Sequence, residues 1–299
     1  MNYKLHIAWL FCLIPMLLSA QVNEKVEEAY LLYSKKEHHA AAEILDEVVA
    51  SESGSNNEVA WHIRGFVYKD LYVEAQDSAE ANRYRDEAVK SFKSSADLDV
   101  EGRITDQNHK ALNYLAITFY LDASDIIDRH DPQTIDSAEE TFFRYVDILR
   151  ILEPDSVVQE KIVDFYLAMS TAHRKIYESD RENNENHWNR SNEYFLKVLE
   201  IDPESFRANY SLAVSHYNKG AYNLRKLAVQ EDFQDIFAIQ SMSMASIRTA
   251  LPFMMKANEI DPERIEAVRG LKIIYFNMNK EEKSEEYNKI EKDLKAGDK

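Results

Sequence analysis

A five-residue motif that recurs after helix-like segments constrains this chain more than any other feature. Glu200–Glu204 reads Glu-Ile-Asp-Pro-Glu, and the same five residues stand at Glu259–Glu263. Weaker copies occur at Leu152–Asp155 and at Leu98–Glu101. Each copy ends one apolar-periodic segment and precedes another. A recurring helix–turn–helix unit predicts a solenoid, which usually serves as a surface that holds other molecules.

The composition predicts an all-α protein. The chain has only six glycines and six prolines, and it contains no Asn-Gly or Asp-Gly hairpin signal. Apolar residues recur at three- and four-residue spacing, as at Ala111, Leu115 and Phe119. We place helix pairs at about 22–50, 57–99, 103–153, 155–201, 204–261 and 263–296. No low-complexity linker interrupts them, so residues 21–299 are expected to form one domain.

Residues 1–20 have the pattern of a cleavable secretory signal peptide. Lys4 precedes an apolar run from Leu5 to Leu18, and Ser19 and Ala20 supply small residues before the predicted cut. The run is shorter than the roughly 20 apolar residues that a transmembrane helix needs. We therefore expect a mature chain that starts at Gln21, has no transmembrane segment, and is periplasmic or secreted.

The cysteine count limits the chemistry of the mature chain. Cys12 is the only cysteine and lies within the predicted signal peptide. Disulfides, thiolate catalysis and cysteine-ligated zinc are thereby excluded from residues 21–299.

The charge is strongly acidic and uneven. The formal net charge is −17, and residues 21–155 carry 14 basic and 29 acidic side chains, against 21 and 24 in residues 156–299. Nucleic acid should be repelled by such a chain. Two interpretations of the acidic half remain open: it maintains solubility, or it meets a basic partner.

The spacing of small and aromatic residues before each motif resembles that of the tetratricopeptide (TPR) repeat family. That family places a small residue 12 positions before the closing proline, an aromatic 8 before and a small residue 5 before. The copy that ends at Pro262 has Ala250, Met254 and Ala257 at these positions. The two other good copies are Ser191, Phe195 and Val198 before Pro203, and Ala88, Phe92 and Ser95 before Val100. The first helix of a unit also follows the family pattern at Trp61, Gly65 and Tyr68, although Arg64 occupies the site where the family usually has leucine.

The resemblance implies a right-handed superhelix of antiparallel helix pairs, a TPR-like solenoid with about five to six helix hairpins. The closing sites are separated by 54, 49 and 59 residues, against about 34 in a standard repeat. We therefore expect lengthened helices. Pro252 falls inside the second helix of its unit, and it should kink that helix or mark its true start.

Candidate catalytic and metal-binding residues are not apparent. His-Glu-x-x-His, Gly-x-Ser-x-Gly and a glycine-rich phosphate loop are all missing from the sequence. Asp122, Asp125, Asp128 and Asp131 could capture calcium or form a solvated acidic face, and their spacing is not that of a calcium loop. His216 takes an aromatic site of the repeat and is expected to pack. We expect no enzyme activity, cofactor or metal.

Two glycosylation sequons, which begin at Asn189 and Asn209, are not expected to carry glycans. Ser191 takes a packing position of the repeat, and Asn209 is expected on the inter-helix side.

The resemblance also implies a concave groove that binds a protein or peptide. It is lined by the first helices of the last two units, and the alternative is that their aromatic residues only fill space. The predicted partner-binding residues are Arg207, Tyr210, Tyr217, Asn218, Arg269, Phe276 and Asn277.

The function expected from these observations is that of an exported, non-catalytic scaffold for a protein or peptide of the cell envelope. Two alternatives remain open. One is a helical glycan-binding or carbohydrate-processing protein, and the other is a structural subunit of an outer-membrane assembly.

Overall fold

The computed structural model describes residues 21–227 and 233–297, and within these residues the fold is all-α. The predicted signal peptide, residues 1–20, lies outside the described residues. No helix of the described part is long and apolar enough to cross a membrane. The helices are α1 (21–34), α2 (His38–Ala50), α3 (Glu58–Glu74), α4 (Ser78–Leu98), α5 (Thr105–Arg129), α6 (Ser137–Leu152), α7 (Asp155–Ser179), α8 (Glu185–Ile201), α9 (Phe206–Lys226), α10 (Phe233–Ile260), α11 (Ile265–Asn277) and α12 (Glu281–Gly297).

The chain divides into two compact units. Of the described residues, unit 1 comprises 21–123 and 139–154, and unit 2 comprises 124–138, 155–227 and 233–297. The helix boundaries reproduce the six predicted pairs within a few residues. Six hairpins are therefore present in the described residues, at the upper end of the expected number.

Consecutive helices pack as antiparallel hairpins. In unit 1, Ser95 Oγ near the end of α4 donates to the carbonyl oxygen of Glu58, the first residue of α3 (2.8 Å). In unit 2, Ser191 Oγ of α8 donates to the Ser170 carbonyl of α7 (2.8 Å). Further along the same unit, Ser284 Oγ of α12 donates to the Lys272 carbonyl of α11 (3.1 Å).

The predicted packing positions are buried. Ala250, Met254 and Ala257 all lie in one core cluster between α9, α10 and α11. The equivalent residues of the other two copies are also buried: Ala88, Phe92, Ser95, Ser191, Phe195 and Val198. Small side chains at these sites let two helices approach, because a larger one would overlap the neighbouring helix. The TPR-like register read from the sequence is confirmed.

The recurring motif forms the same turn in three places. The backbone carbonyl oxygens of Asp99, Asp202 and Asp261 each accept a hydrogen bond from the N–H three residues later, at 3.0, 3.1 and 3.2 Å. The Asp99 carboxylate also accepts from the backbone N–H groups of Ile104 and Thr105, both at 2.8 Å. These bonds hold the pKa of Asp99 below its ordinary value, at about 2. The motif therefore ends one pair and starts the next with a defined geometry.

One expectation about Pro252 is wrong. Helix α10 already contains Phe233 and runs without interruption to Ile260, so Pro252 does not mark its start. The proline is exposed, while Ile247, Ala250 and Met254 are buried on the opposite side. Buried residues before and after Pro252 along the chain hold the helix together, although proline has no backbone N–H to donate.

Candidate functional site

Four of the seven predicted partner-binding residues line one pocket in unit 2. Tyr210, Tyr217 and Asn218 reach it from α9, and Arg269 reaches it from α11. The pocket has a volume of about 150 Å³. Its apolar lining comes from Val214, Met254, Gly270, Ile273 and Ile274, and Glu266 completes it.

A hydrogen bond connects a fifth predicted residue to this pocket. Asn277 Nδ2 donates to Tyr217 Oη (3.3 Å) and to the Ile273 carbonyl (2.9 Å). Arg207 and Phe276 do not line it. Both are exposed, and Phe276 keeps 67% of its surface accessible, because it lies on a face of α11 away from the pocket.

Two pocket residues are held in place by their neighbours. The Tyr210 ring stacks on Phe206 at 5.7 Å with an interplanar angle of 9°. Burial raises the pKa of the Tyr210 phenol, with a further contribution from Glu266, so its hydroxyl remains a neutral donor. Arg269 Nε donates to the buried carboxylate of Glu291 on α12 (3.0 Å), which fixes the guanidinium beside the pocket.

A second, smaller pocket adjoins the first and was missed by the sequence interpretation. It has a volume of about 30 Å³ and shares Val214 and Asn218 with the first pocket. Its other lining residues are Arg174, Tyr177, Glu178, Arg181, Trp188, Ser211, Ser215 and Lys219. We call these two adjoining pockets, which are lined by residues of α7 to α11, the unit 2 groove.

Cations and aromatic rings alternate in the added part of the groove. Lys219 Nζ lies 5.4 Å from the Tyr177 ring centroid and 5.3 Å from that of Trp188. The Arg181 guanidinium lies 4.8 Å from the Tyr222 centroid. Lys219 also pairs with Glu185 (2.7 Å). These contacts are in the range of cation–π attraction, and they order long side chains that would otherwise lose entropy on binding.

The charged residues that line the groove are mostly basic. Arg174, Arg181, Lys219 and Arg269 are set against Glu178 and Glu266. Arg174 of α7 and Arg181 of the following turn were missed because residues 132–178 match the repeat pattern poorly. A signal was present for part of this set, since Arg174 and Glu178 follow the four-residue spacing of one helix face, whereas Arg181 lies in the turn after α7.

The acidic run at the end of α5 is largely explained by local contacts. Asp122 pairs with Arg85 (2.6 Å), Asp125 pairs with Arg129, and the Asp131 carboxylate accepts from the Gln133 N–H (2.9 Å). In the described part of the chain, no group of three or more His, Cys, Asp or Glu side chains could hold a metal ion.

The packing expected of His216 and Asn209 agrees with the structure, whereas Asn189 of the other sequon is exposed. The His216 ring stacks on Phe253 at 6.1 Å and meets Trp188 edge-on at 5.3 Å, and burial lowers its pKa. It is therefore a packing residue. Asn209 is buried, and its Nδ2 donates to the Pro203 and Ser205 carbonyls at 3.1 and 3.0 Å.

Comparison with known proteins identifies similar solved structures only. No protein-family model and no curated protein matches the chain. A TPR repeats protein from Bacteroides fragilis aligns with a TM-score of 0.42 and 14% identity, over 92% of this chain and 98% of that one. A TPR repeat-containing protein from Cytophaga hutchinsonii aligns at 0.28 and 12%, over 90% and 95%. The TPR2AB-domain:pHSP90 complex of yeast Sti1 aligns at 0.26 and 11%, over 93% and 92%.

These structural neighbours are TPR repeat proteins. Their TM-scores lie below 0.5, so the fold assignment depends on the packing within this chain. The helix hairpins, the buried small residues and the recurring aspartate turn make the described residues an all-α, TPR-like solenoid.

Proposed function

We propose that this protein is a non-catalytic scaffold that binds a segment of a partner protein in the unit 2 groove. The observation that carries the proposal is the convergence of Tyr210, Tyr217, Asn218 and Arg269 on one pocket. Arginine and tyrosine in a partly desolvated site are the residues most often found at binding hot spots. The apolar floor supplies area to bury, and the polar residues fix orientation.

The charge of the groove favours a partner segment of particular chemistry. Its lining carries four basic and two acidic side chains, although the chain as a whole is acidic. An extended or helical segment with apolar anchors and carboxylates would therefore be preferred to a basic one. The described residues offer no specific observation that favours the glycan-binding alternative or the structural subunit of an outer-membrane assembly.

The test is an affinity pull-down from cell-envelope extract, followed by measurement of the recovered partner against variants. The double change Tyr217→Ala with Arg269→Ala removes one side chain from each wall of the first pocket. We expect the double variant to lose most of the binding while it stays folded, with a melting temperature at most a few degrees below that of the parent, because Arg269 also pairs with Glu291. Binding that is retained would place the interface outside this groove.

Two controls separate binding from folding. Arg207→Ala and Phe276→Ala change predicted residues that lie outside the pocket, so they should leave the affinity unchanged. Glu291→Gln removes the ion pair that holds Arg269 without altering the pocket wall. Because Glu291→Gln leaves Arg269 in the pocket wall, a loss of affinity as large as that of the double variant would mean that the groove needs Arg269 held in place by α12.

We further propose that the protein acts in the periplasm or outside the cell after its signal peptide has been cleaved. The support is the short apolar run that ends in Ser19 and Ala20. N-terminal sequencing of the native protein should begin at Gln21. Retention of Met1 together with recovery in the membrane fraction would contradict this proposal.

A further inference from the structure

Unit 1 has an open apolar pocket that is separate from the unit 2 groove. The pocket lies between α1 and α3 and has a volume of about 540 Å³. Its apolar lining is Val26, Tyr30, Leu31, Val59 and Ile63. Leu31 keeps 57% of its surface accessible, Tyr30 keeps 55% and Val59 keeps 40%, although the unit has a well-buried core. Side chains of this size, exposed together around a cavity, are unusual for a surface without a partner.

The exposed apolar surface continues onto the next first helix of unit 1. His62, which lines the pocket, hydrogen-bonds through Nδ1 to Asn108 Oδ1 of α5 (2.7 Å). The Lys69 Nζ atom of α3 lies 6.0 Å from the Tyr114 ring centroid of α5. Helix α5 exposes Tyr114, Ile117 and Leu121 at three- and four-residue spacing. We call the exposed apolar surface of α1, α3 and α5 the unit 1 face.

The charge around the unit 1 face is strongly negative. The described residues of unit 1, 21–123 and 139–154, carry 13 basic and 24 acidic side chains. Many of the basic side chains are already paired within the unit, as in Lys25–Glu47, Arg64–Asp46 and Arg103–Glu58. On α1, Glu27 lines the pocket itself, and Glu24 and Glu28 are exposed beside it.

We propose that the unit 1 face binds an amphipathic, basic segment of a partner protein. Apolar side chains of that segment enter the pocket between α1 and α3, where they gain burial against Tyr30, Leu31 and Val59. Lysine or arginine side chains on its other face meet Glu24, Glu27 and the acidic surface of unit 1. The face thus differs from the unit 2 groove in the sign of the charge that it recognises, so the two surfaces can hold different segments.

The test uses designed peptides as probes of the full chain. The first probe is an 18-residue helical peptide with a leucine face and a lysine face, about 27 Å long. The second has the same leucine face with glutamate in place of lysine, and the third keeps the lysines with serine in place of leucine. In the Tyr217→Ala with Arg269→Ala variant, whose unit 2 groove is disabled, fluorescence anisotropy should give an affinity for the Leu/Lys peptide at least about tenfold above both others, and this affinity should fall as salt is raised.

Variants of the chain locate the binding. Leu31→Ser with Val59→Ser removes exposed apolar surface and should weaken Leu/Lys binding about tenfold without lowering the melting temperature. Glu27→Lys should weaken it about threefold at low salt. Val100→Ser is the matched control, because Val100 is 95% exposed in unit 1 but lies outside its helices. Tyr217→Ala with Arg269→Ala should have no effect, so failure of the unit 2 groove and failure of the unit 1 face are distinguishable.

Other outcomes would overturn the proposal. Equal affinity of the Tyr217→Ala with Arg269→Ala variant for the lysine and glutamate peptides would remove the charge argument. Binding of the Leu/Lys peptide that survives Leu31→Ser with Val59→Ser would remove the pocket. Self-association that is abolished by the same double change would identify a second copy of the chain as the occupant. Leu/Lys binding that is detected only after residues 1–20 have been removed would identify the chain's own apolar segment as the occupant.

Discussion

The imidazole rings of His173 and His187 face each other with their Nδ1 atoms 2.8 Å apart. The rings are stacked at 5.0 Å, and Tyr194 stacks on His173 at 5.5 Å. His173 is fully buried on α7, and His187 is buried on α8. One Nδ1 must carry a proton and donate it while the other accepts, so this contact between the two helices exists only while at least one ring is neutral.

Acidification should weaken unit 2 through this pair. Burial lowers the pKa of His187, Asp136 opposes that effect and Arg190 adds to it. Because the unfolded chain keeps the ordinary histidine pKa of about 6.5, it binds more protons than the native state at pH values below 6.5. The histidine contribution to stability is therefore complete above that pH and is lost as the pH falls. Urea unfolding at a series of pH values from about 7.5 to 5 should show the loss.

A double variant separates the contribution of the histidine pair to the pH dependence of stability from the contribution of the many carboxylates. His173→Phe with His187→Phe replaces both partners by apolar rings, and such paired replacements are often close to neutral in stability. We expect a shallower dependence of the unfolding free energy on pH in this variant. His39→Gln changes an exposed histidine of α2 and should leave the dependence unchanged. The same slope in all three proteins would assign the acid effect to other groups.

Gly65→Ala tests the small site of the second hairpin. A Cβ atom at residue 65 would lie 2.6 Å from Cε1 of Phe92 on α4, closer than such contacts normally occur. Helix propensity alone predicts that alanine stabilises a helix interior by about 1 kcal/mol. The steric contact predicts instead that alanine lowers the free energy of unfolding by about 1–3 kcal/mol. Denaturant unfolding decides between them, and in a Phe92→Leu background the penalty should shrink.

The elements that could be predicted from the sequence are those that depend on local spacing. The recurring aspartate turn and the small residues before it are fixed by the hydrogen-bond geometry of a few neighbouring residues. Ala250 and Ala257 were therefore placed correctly. The same logic placed Tyr210 and Tyr217 on one face of α9, since helix periodicity alone determines which side chains share a face.

What the sequence could not show depends on residues distant along the chain. Arg64 occupies a leucine site, yet it is buried because Asp46 of α2 and Glu87 of α4 both reach its guanidinium at 2.8 Å. The part of the groove at Arg174 and Arg181 was missed for a similar reason. Helix α7, which carries Arg174, matches the repeat pattern poorly, and Arg181 lies in the turn after it. Only the packing of α7 against α8 and the pocket shared with α9 bring these side chains beside Lys219.

Ala257→Leu should destabilise unit 2. Ala257 has no exposed surface and lies in the core cluster shared by α9, α10 and α11. Three additional carbon atoms at this site would displace a neighbouring helix at a cost of about 1–3 kcal/mol. Ala245→Leu on the same helix is the matched control, because Ala245 is exposed. An unchanged melting temperature for Ala257→Leu would mean that this helix packs in a different register.

Glu291→Gln should remove an acid-sensitive cluster of ion pairs between α11 and α12. Glu291 is only 3% exposed, and its carboxylate pairs with Lys272, with Lys295 at 2.7 Å and with Arg269 at 3.0 Å. These cations, Lys272 above all, hold the pKa of Glu291 at about 2. The unfolded chain has the ordinary value of 4.5. The contribution of this carboxylate is therefore complete above about pH 4.5 and disappears as the pH falls through about 2.

At neutral pH the Glu291→Gln variant should melt a few degrees below the parent protein, and α12 amides should exchange hydrogen faster. The difference should shrink steadily between pH 5 and pH 3, because the unfolded carboxylate of the parent then takes up a proton while Glu291 in the folded protein is still ionised. Glu286→Gln breaks only an exposed pair with Lys283, so it should have little effect at any pH. A difference between Glu291→Gln and the parent that stays constant from pH 7 to pH 3 would show that residue 291 acts through packing and not through its charge.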